Sequence, residues 1–290
     1  MATVPLAPVL DQEEYIEQAY FFRALRERLT ESLAAQDILA RLHEEILSTT
    51  RLPLAIQFLA TEIKHSGVLG SGFQRLTHYF TPFQAFVIAK AEEEGLRFSM
   101  DTALKILEGE ARYRGEKPVP AGLFLYEFEA LARNRLGYDA GLTAMMSDGF
   151  FDQEWREYLE LIRRNVGEFE LADLLFVRSA LNLREEQRKH PDKQLPPPLF
   201  GEKEGKIARA SRGRDPLFLF NALQRQLGYP EVPRQIAKEN PLAMLPTIVA
   251  KLREFEQRVK VLEGDLRERL TPLAPHLDRP ENITPIPLDD

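Results

Sequence analysis

The sequence predicts an all-α protein: a multi-helix body with short connections, a proline-rich linker and a C-terminal helix of coiled-coil type. Three observations carry that reading. Apolar residues recur at helical spacing through the first two thirds of the chain, and no segment alternates with the period of two that a half-buried strand requires. Of the 20 prolines only Pro53, Pro82, Pro118 and Pro120 lie between residues 11 and 190, whereas 14 lie in the last hundred residues. Because proline removes a backbone donor and breaks helix interiors, that split marks a helical body followed by a broken tail. Finally, hydroxyl and carboxylate residues stand where the apolar stripes begin, as helix caps do.

Each element follows from these signals. Residues 13–29 place Ala19, Phe22, Leu25 and Leu29 on one stripe, and residues 32–47 repeat the pattern with Leu39, Leu42 and Ile46. Pro53 suits the first turn of a third helix reaching about His65. The Gly67–Gly72 cluster after it reads as a flexible turn, since it lacks both the preceding strand and the lysine of a phosphate-binding loop. Thr81-Pro82 opens a helix carrying Phe83, Phe86 and Val87, and Ser99 caps the next, which runs to Tyr113. Residues 121–136 carry Phe124, Phe128 and Leu131 and end at Gly137, a natural left-handed stop. Asp152 starts a helix with Trp155, Leu159, Ile162 and Val166, and a long helix from Phe169 to Lys189 is expected after Gly167. Trp155, Phe150 and Phe151 read as core. Asp215-Pro216 begins a short helix that stops at Gly228.

The expected organisation is therefore a disordered N-terminus at 1–10, a helical body at 11–190 and a proline-rich, basic linker at 191–214. Beyond it come a short docking helix at 215–230, a second linker at 231–246, a coiled-coil helix at 247–270 and a disordered tail at 271–290.

Composition narrows the chemistry. The chain of 290 residues has 38 basic and 45 acidic residues, a net charge of −7, and no cysteine. Disulfides, thiolate metal sites and cysteine nucleophiles are thereby excluded. No apolar run is long enough to span a membrane, the first residues lack the plan of a secretory signal, and a cytoplasmic location is the expectation. Glu62 and His65 form an E-x-x-H on one helix face, but no second such motif completes a carboxylate-bridged bundle site. The HEEIL run at 43–47 has leucine where a zinc helix needs its second histidine. No catalytic, cofactor or metal residues are assigned.

Two association signals remain. Ile248, Leu252, Phe255, Val259, Leu262 and Leu266 are spaced 4-3-4-3-4, a heptad seam. With Leu252, Val259 and Leu266 at position a, Lys251 and Arg258 fall at g and Glu256 and Glu263 at e. In a parallel dimer these positions pair with opposite sign. The second signal is basic: Lys203, Lys206, Arg209 and Arg212 recur every three residues, with Arg214 following. They could meet phosphates or an acidic partner, but no aromatic residue is interleaved to stack bases. The sequence thus favours a non-catalytic interaction or scaffold protein that forms homo-oligomers and binds other proteins. A nucleic-acid or polyanion accessory using 203–214 is the alternative, and an enzyme with a site assembled from distant residues is the third reading.

Overall fold

The computed structural model describes residues 6–235, apart from positions 32, 94, 96 and 193, together with 249–260 and 262. Every regular element among them is helical; the only extended pairings there are isolated bridges. Two units are present, one reaching to Gln235 and one beginning at Ile236.

In the first unit, α1 (Gln12–Thr30) is followed by α2 (Ala35–Leu42), α3 (Leu52–Ser66) and α4 (Gly70–Arg75). The second helix is shorter than expected: Ile46 is buried from a turn after α2, where Glu45 binds Arg28 at 2.6 Å and Glu17 accepts from the Leu47 amide at 3.1 Å. The glycine cluster, expected as a flexible turn, instead runs into α4. The Glu92 carboxylate accepts hydrogen bonds from the Leu69 and Gly70 amides at 2.6 and 2.7 Å, supplying from another helix the cap that the local sequence lacks.

The helices α5 (Pro82–Glu92), α6 (Met100–Gly115) and α7 (Pro120–Asn134) form the centre. Thr81 and Gln84 make a reciprocal capping box on α5, and Ser99 Oγ accepts from the Thr102 amide at 3.3 Å to start α6. At the end of α7 it is Arg135, not Gly137, that takes the left-handed cap, with φ 54°. Gly137, at φ 94°, opens α8 (Tyr138–Met146) instead.

The next helices are α9 (Gln153–Asn165), capped by Asp152, then α10 (Leu171–Val177) and α11 (Ala180–Lys189). The single helix expected over 169–189 is broken between the last two. There the Arg178 carbonyl accepts from the amides of Leu199 and Phe200, and the Ala180 amide donates to the Phe200 carbonyl at 2.8 Å. Ser179 caps α11 and is buried in the break.

Residues 191–214, read from composition as linker, contain α12 (Glu202–Ala210) and bury Phe200 and Ala208. Its Gly205, a residue that by itself weakens a helix, lies so close to Ser179 that a side chain there would collide. α13 (Pro216–Leu227) buries Leu219, Phe220 and Leu223 against the same core, and Tyr229 and Val232 bury the segment beyond it. The body is thus not complete at residue 190. Residues 6–10, expected as disordered, are also fixed: Ala7 exchanges backbone hydrogen bonds with Ser147 and Gly149 at 3.1 and 3.0 Å.

Two aromatic groups fill the interior. Phe21, Phe22, Phe73 and Phe80 meet on the α1 side, with Phe73 and Phe80 centroids 4.2 Å apart. Phe124, Trp155, Tyr158 and Phe200 meet on the α7 side, at 5.5 to 6.1 Å. Both contain residues that read as core in the sequence, Trp155 and Phe124 among them.

In the second unit, residues 249–260 are helical and are labelled α14. Ile248, Leu266 and the tail at 271–290 lie outside the described residues, as do 236–246 of the expected second linker.

Candidate functional site

Of the residues expected to form a C-terminal seam, Leu252, Phe255 and Val259 lie on α14 and Leu262 just beyond it. Leu252, Phe255, Val259 and Leu262 are 51–62 % exposed, an apolar series at heptad spacing left in water. The polar side of the helix carries the ion pairs Glu254–Arg258 at 3.7 Å and Glu256–Lys260 at 3.4 Å. Each is solvent-exposed and contributes a few tenths of a kcal/mol at most.

The basic segment is not a flexible tether. Lys203, Lys206 and Arg209 lie on α12, and Arg212 and Arg214 on the turn behind it. Lys206 pairs with Glu202 at 3.1 Å, Arg209 with Glu185 at 2.8 Å and Arg212 with Asp173 at 2.6 Å. Arg212 also stands over the Phe176 ring at 4.5 Å. Arg209 and Arg212 tie α12 and its following turn to α11 and α10, while Lys206 pairs within α12, so much of this charge is already answered within the chain. Glu62 binds Arg75 at 2.6 Å, and His65 is exposed beside it. Among the described residues no group of histidines and carboxylates is placed to hold a metal ion.

Sequence reasoning missed the most unusual chemistry in the molecule. Arg114, near the end of α6, is 4 % exposed and meets three buried carboxylates. Its Nε donates to Glu110 at 2.7 Å, one turn back, and its Nη2 donates to Glu127 of α7 at 3.0 Å and to Asp148. The rings of Tyr15 and Phe150 stand 5.8 and 5.7 Å from the guanidinium carbon. Asp148 sits in the turn after α8, where its second oxygen accepts from the Phe150 amide at 2.9 Å. One oxygen each of Glu110 and Glu127, and Nη1 of Arg114, are buried without a partner.

Burial pushes both glutamate carboxyls up from their ordinary range, against the pull of Arg114; the neighbouring carboxylates add to the push on Glu127. Burial alone would discharge Arg114, but Asp148, Glu110 and Glu127 together hold its pKa well above the usual arginine value. A recess of about 300 Å³ opens over this group, walled by Val9, Leu10, Gln12, Tyr15 and Phe150 with Lys117 at its rim. The cluster holds no nucleophile with an adjoining base; what it can do is exchange protons and fix the angle between α6, α7 and the Asp148 turn.

A signal for it was in the sequence. The run LFLYEFEAL is apolar on every side of the helix, so α7 must be buried all round and its glutamates buried with it. Compared with known protein families, with curated proteins and with solved structures, the chain matches none.

Proposed function

We propose that the protein is a non-catalytic, cytoplasmic interaction or scaffold protein that associates with a second copy of itself through α14. The observation that carries this reading is the exposed series Leu252, Phe255, Val259 and Leu262, an apolar seam with no cover in its own helix. A helix left with such a stripe gains little alone, because isolated helices of this length are marginal in water. A parallel partner supplies the missing face, and the charges favour that orientation: Lys251 meets Glu256 of the second copy and Arg258 meets Glu263 of the second copy. Among the described residues no helix is long and apolar enough to cross a membrane.

Light scattering and a thermal melt on the full chain test the reading. The unmodified protein is expected to be a dimer at about tens of micromolar. Phe255→Asp with Val259→Asp puts unpaired carboxylates into the seam and is expected to give a monomer whose melting temperature is unchanged. A monomeric unmodified protein overturns the proposal. So does a double variant of unchanged mass and lowered melting temperature, the response of a helix that covers its own body.

A further inference from the structure

The cluster around Arg114 does not balance. Three carboxylates meet one guanidinium, and none of the four side chains is more than 1 % exposed. Fully ionised, the group would hold two unmatched negative charges in a medium that screens them poorly. Among the described residues no second cation faces it within the core. From α1 comes Tyr15, from α5 Gln84, whose amide also donates to Gln18, from α7 Tyr126 beside Glu127, and from the turn after α8 Phe150 beside Asp148. Lys117 stands only at the exposed rim of the recess.

The hydrogen bonds point to where the imbalance is resolved. Both oxygens of Asp148 accept, one from Arg114 and one from the Phe150 amide. Glu110 and Glu127 each use one oxygen to accept from Arg114; Oε2 of Glu127 is buried with no donor, and the second oxygen of Glu110 has only the Gln84 amide nearby. An ionised carboxylate buried in this way lacks half its acceptor needs, whereas a protonated one carries its own hydrogen on that oxygen. We propose that the Glu110–Glu127 pair is a proton-binding site, occupied at neutral pH, whose emptying at alkaline pH loosens the junction of α6, α7 and the Asp148 turn.

The upward push of burial on both glutamates supports this direction. Over the range between the unfolded and folded pKa values, the folded chain holds the extra proton and the unfolded chain does not. Stability therefore falls as pH rises through that range, the reverse of the usual salt-bridged carboxylate. The junction is also where Ala7 binds Ser147 and Gly149, so the N-terminal segment shares its fate.

Infrared spectroscopy of the full chain tests the proposal directly. At neutral pH, where exposed carboxyls are ionised, the carbonyl stretch of a protonated carboxyl group is expected. It should be absent from the variant with Glu110→Gln and Glu127→Gln, kept in Glu129→Gln, and lost from the unmodified protein as pH is raised. Unfolding free energy should decline from the ordinary carboxylate range up to the pH at which the band is lost, and level off above it, in the unmodified protein, and this decline should be missing in the double variant. No protonated-carboxyl band at neutral pH overturns the proposal, as does a band that survives both substitutions. Should the double variant not fold, the band in the unmodified chain and its loss or retention in Glu127→Gln decide the matter in the same way.

Discussion

Tyr126 of α7 lies with its hydroxyl directly over Gly109 of α6, leaving no room for a side-chain carbon at position 109. The same hydroxyl donates to the Ile106 carbonyl at 2.7 Å. The contact is returned: Tyr113 of α6 lies over Gly122 of α7 in the same manner, and its hydroxyl reaches the Leu227 carbonyl at 3.3 Å. Each helix thus carries glycine and tyrosine four residues apart, one turn, and the two helices run antiparallel with each tyrosine seated on the other's glycine. Glycine inside a helix costs about 1 kcal/mol relative to alanine. Two are tolerated here because they let the central helices approach, and that approach brings Glu127 within reach of Arg114.

Gly109→Ala is therefore expected to destabilise the protein, by about 1–3 kcal/mol from overpacking, although alanine is the better helix former. The colliding atom is the tyrosine hydroxyl, so Tyr126→Phe should relieve part of the penalty. A double-mutant cycle by chemical denaturation checks this. Gly109→Ala should cost less in the Tyr126→Phe background than alone; equal costs would mean that the hydroxyl is not the obstacle.

What the sequence disclosed and what it concealed divide along a physical line. Signals confined to one helical turn were legible: Thr81, Ser99, Asp152 and Asp215 all cap the helices they were expected to cap. Features that depend on a distant partner were not. Glu92 caps α4 from another helix, and the backbone of Phe200 splits the helix expected over 169–189. Gly205 reads as a flaw in a charged stretch until Ser179 is seen against it. The prolines of 191–198 suggested a linker, but proline composition reports only that the chain is not helical there; it does not report whether the next segment is buried. The Arg114 cluster draws its carboxylates from α6, α7 and the turn after α8, and only the all-round apolar character of α7 hinted that its glutamates needed partners.

Because α12 and α13 complete the core, a chain ending after Lys189 should lose cooperative folding. It would expose Phe124, Phe128 and Tyr158, which Phe200 and Phe220 cover in the intact body. Burying one such aromatic side chain contributes about 1.5–3 kcal/mol, and several are lost together. A chain ending at Gln235 should melt cooperatively. Circular dichroism melts of the two truncations compare them; cooperative melting of the shorter chain would show that the last two helices of the body are accessories.

On the opposite side of neutrality, Glu160 of α9 titrates in the usual sense. Hydrogen bonds from Arg163 and, more weakly, Arg164, each at 2.8 Å, hold its carboxyl down at about 2 against the opposing effect of burial. A lowered folded pKa contributes stability that is present above the unfolded pKa and lost as pH falls through the folded one. The site faces solvent, so Glu160→Gln should cost only about 0.5 kcal/mol at neutral pH. That difference should fade as the pH is lowered from about 4 towards 2. Urea titrations of both proteins at several pH values measure it, and a difference that persists at the acid end would assign the effect to packing.

The last residue of the body closes it by a single acceptor. Gln235 Oε1 receives hydrogen bonds from the Ser99 amide at 3.0 Å, the Ser99 hydroxyl at 2.9 Å and the Thr102 hydroxyl at 2.8 Å, all at the start of α6. Its own amide donates to Asn134 Oδ1 at 2.8 Å, at the end of α7, where Asn134 also donates to the Pro233 carbonyl at 3.0 Å. One residue thus joins the beginning of one central helix to the end of the other. Gln235→Ala removes the acceptor but leaves the backbone bond to Asn134. Ser99 and Thr102, whose hydroxyls already lie 3.0 Å apart, can partly satisfy each other. The expected loss is about 1–2 kcal/mol, with faster amide hydrogen exchange over residues 99–103 while the middle of α6 stays protected. Gln235→Glu keeps an acceptor in place and should retain most of the protection. If glutamate proves as damaging as alanine, Oε1 is not what holds the helix start, and the strap from Tyr229 to Gln235 is anchored by its bonds to Asn134 and its buried Tyr229 and Val232.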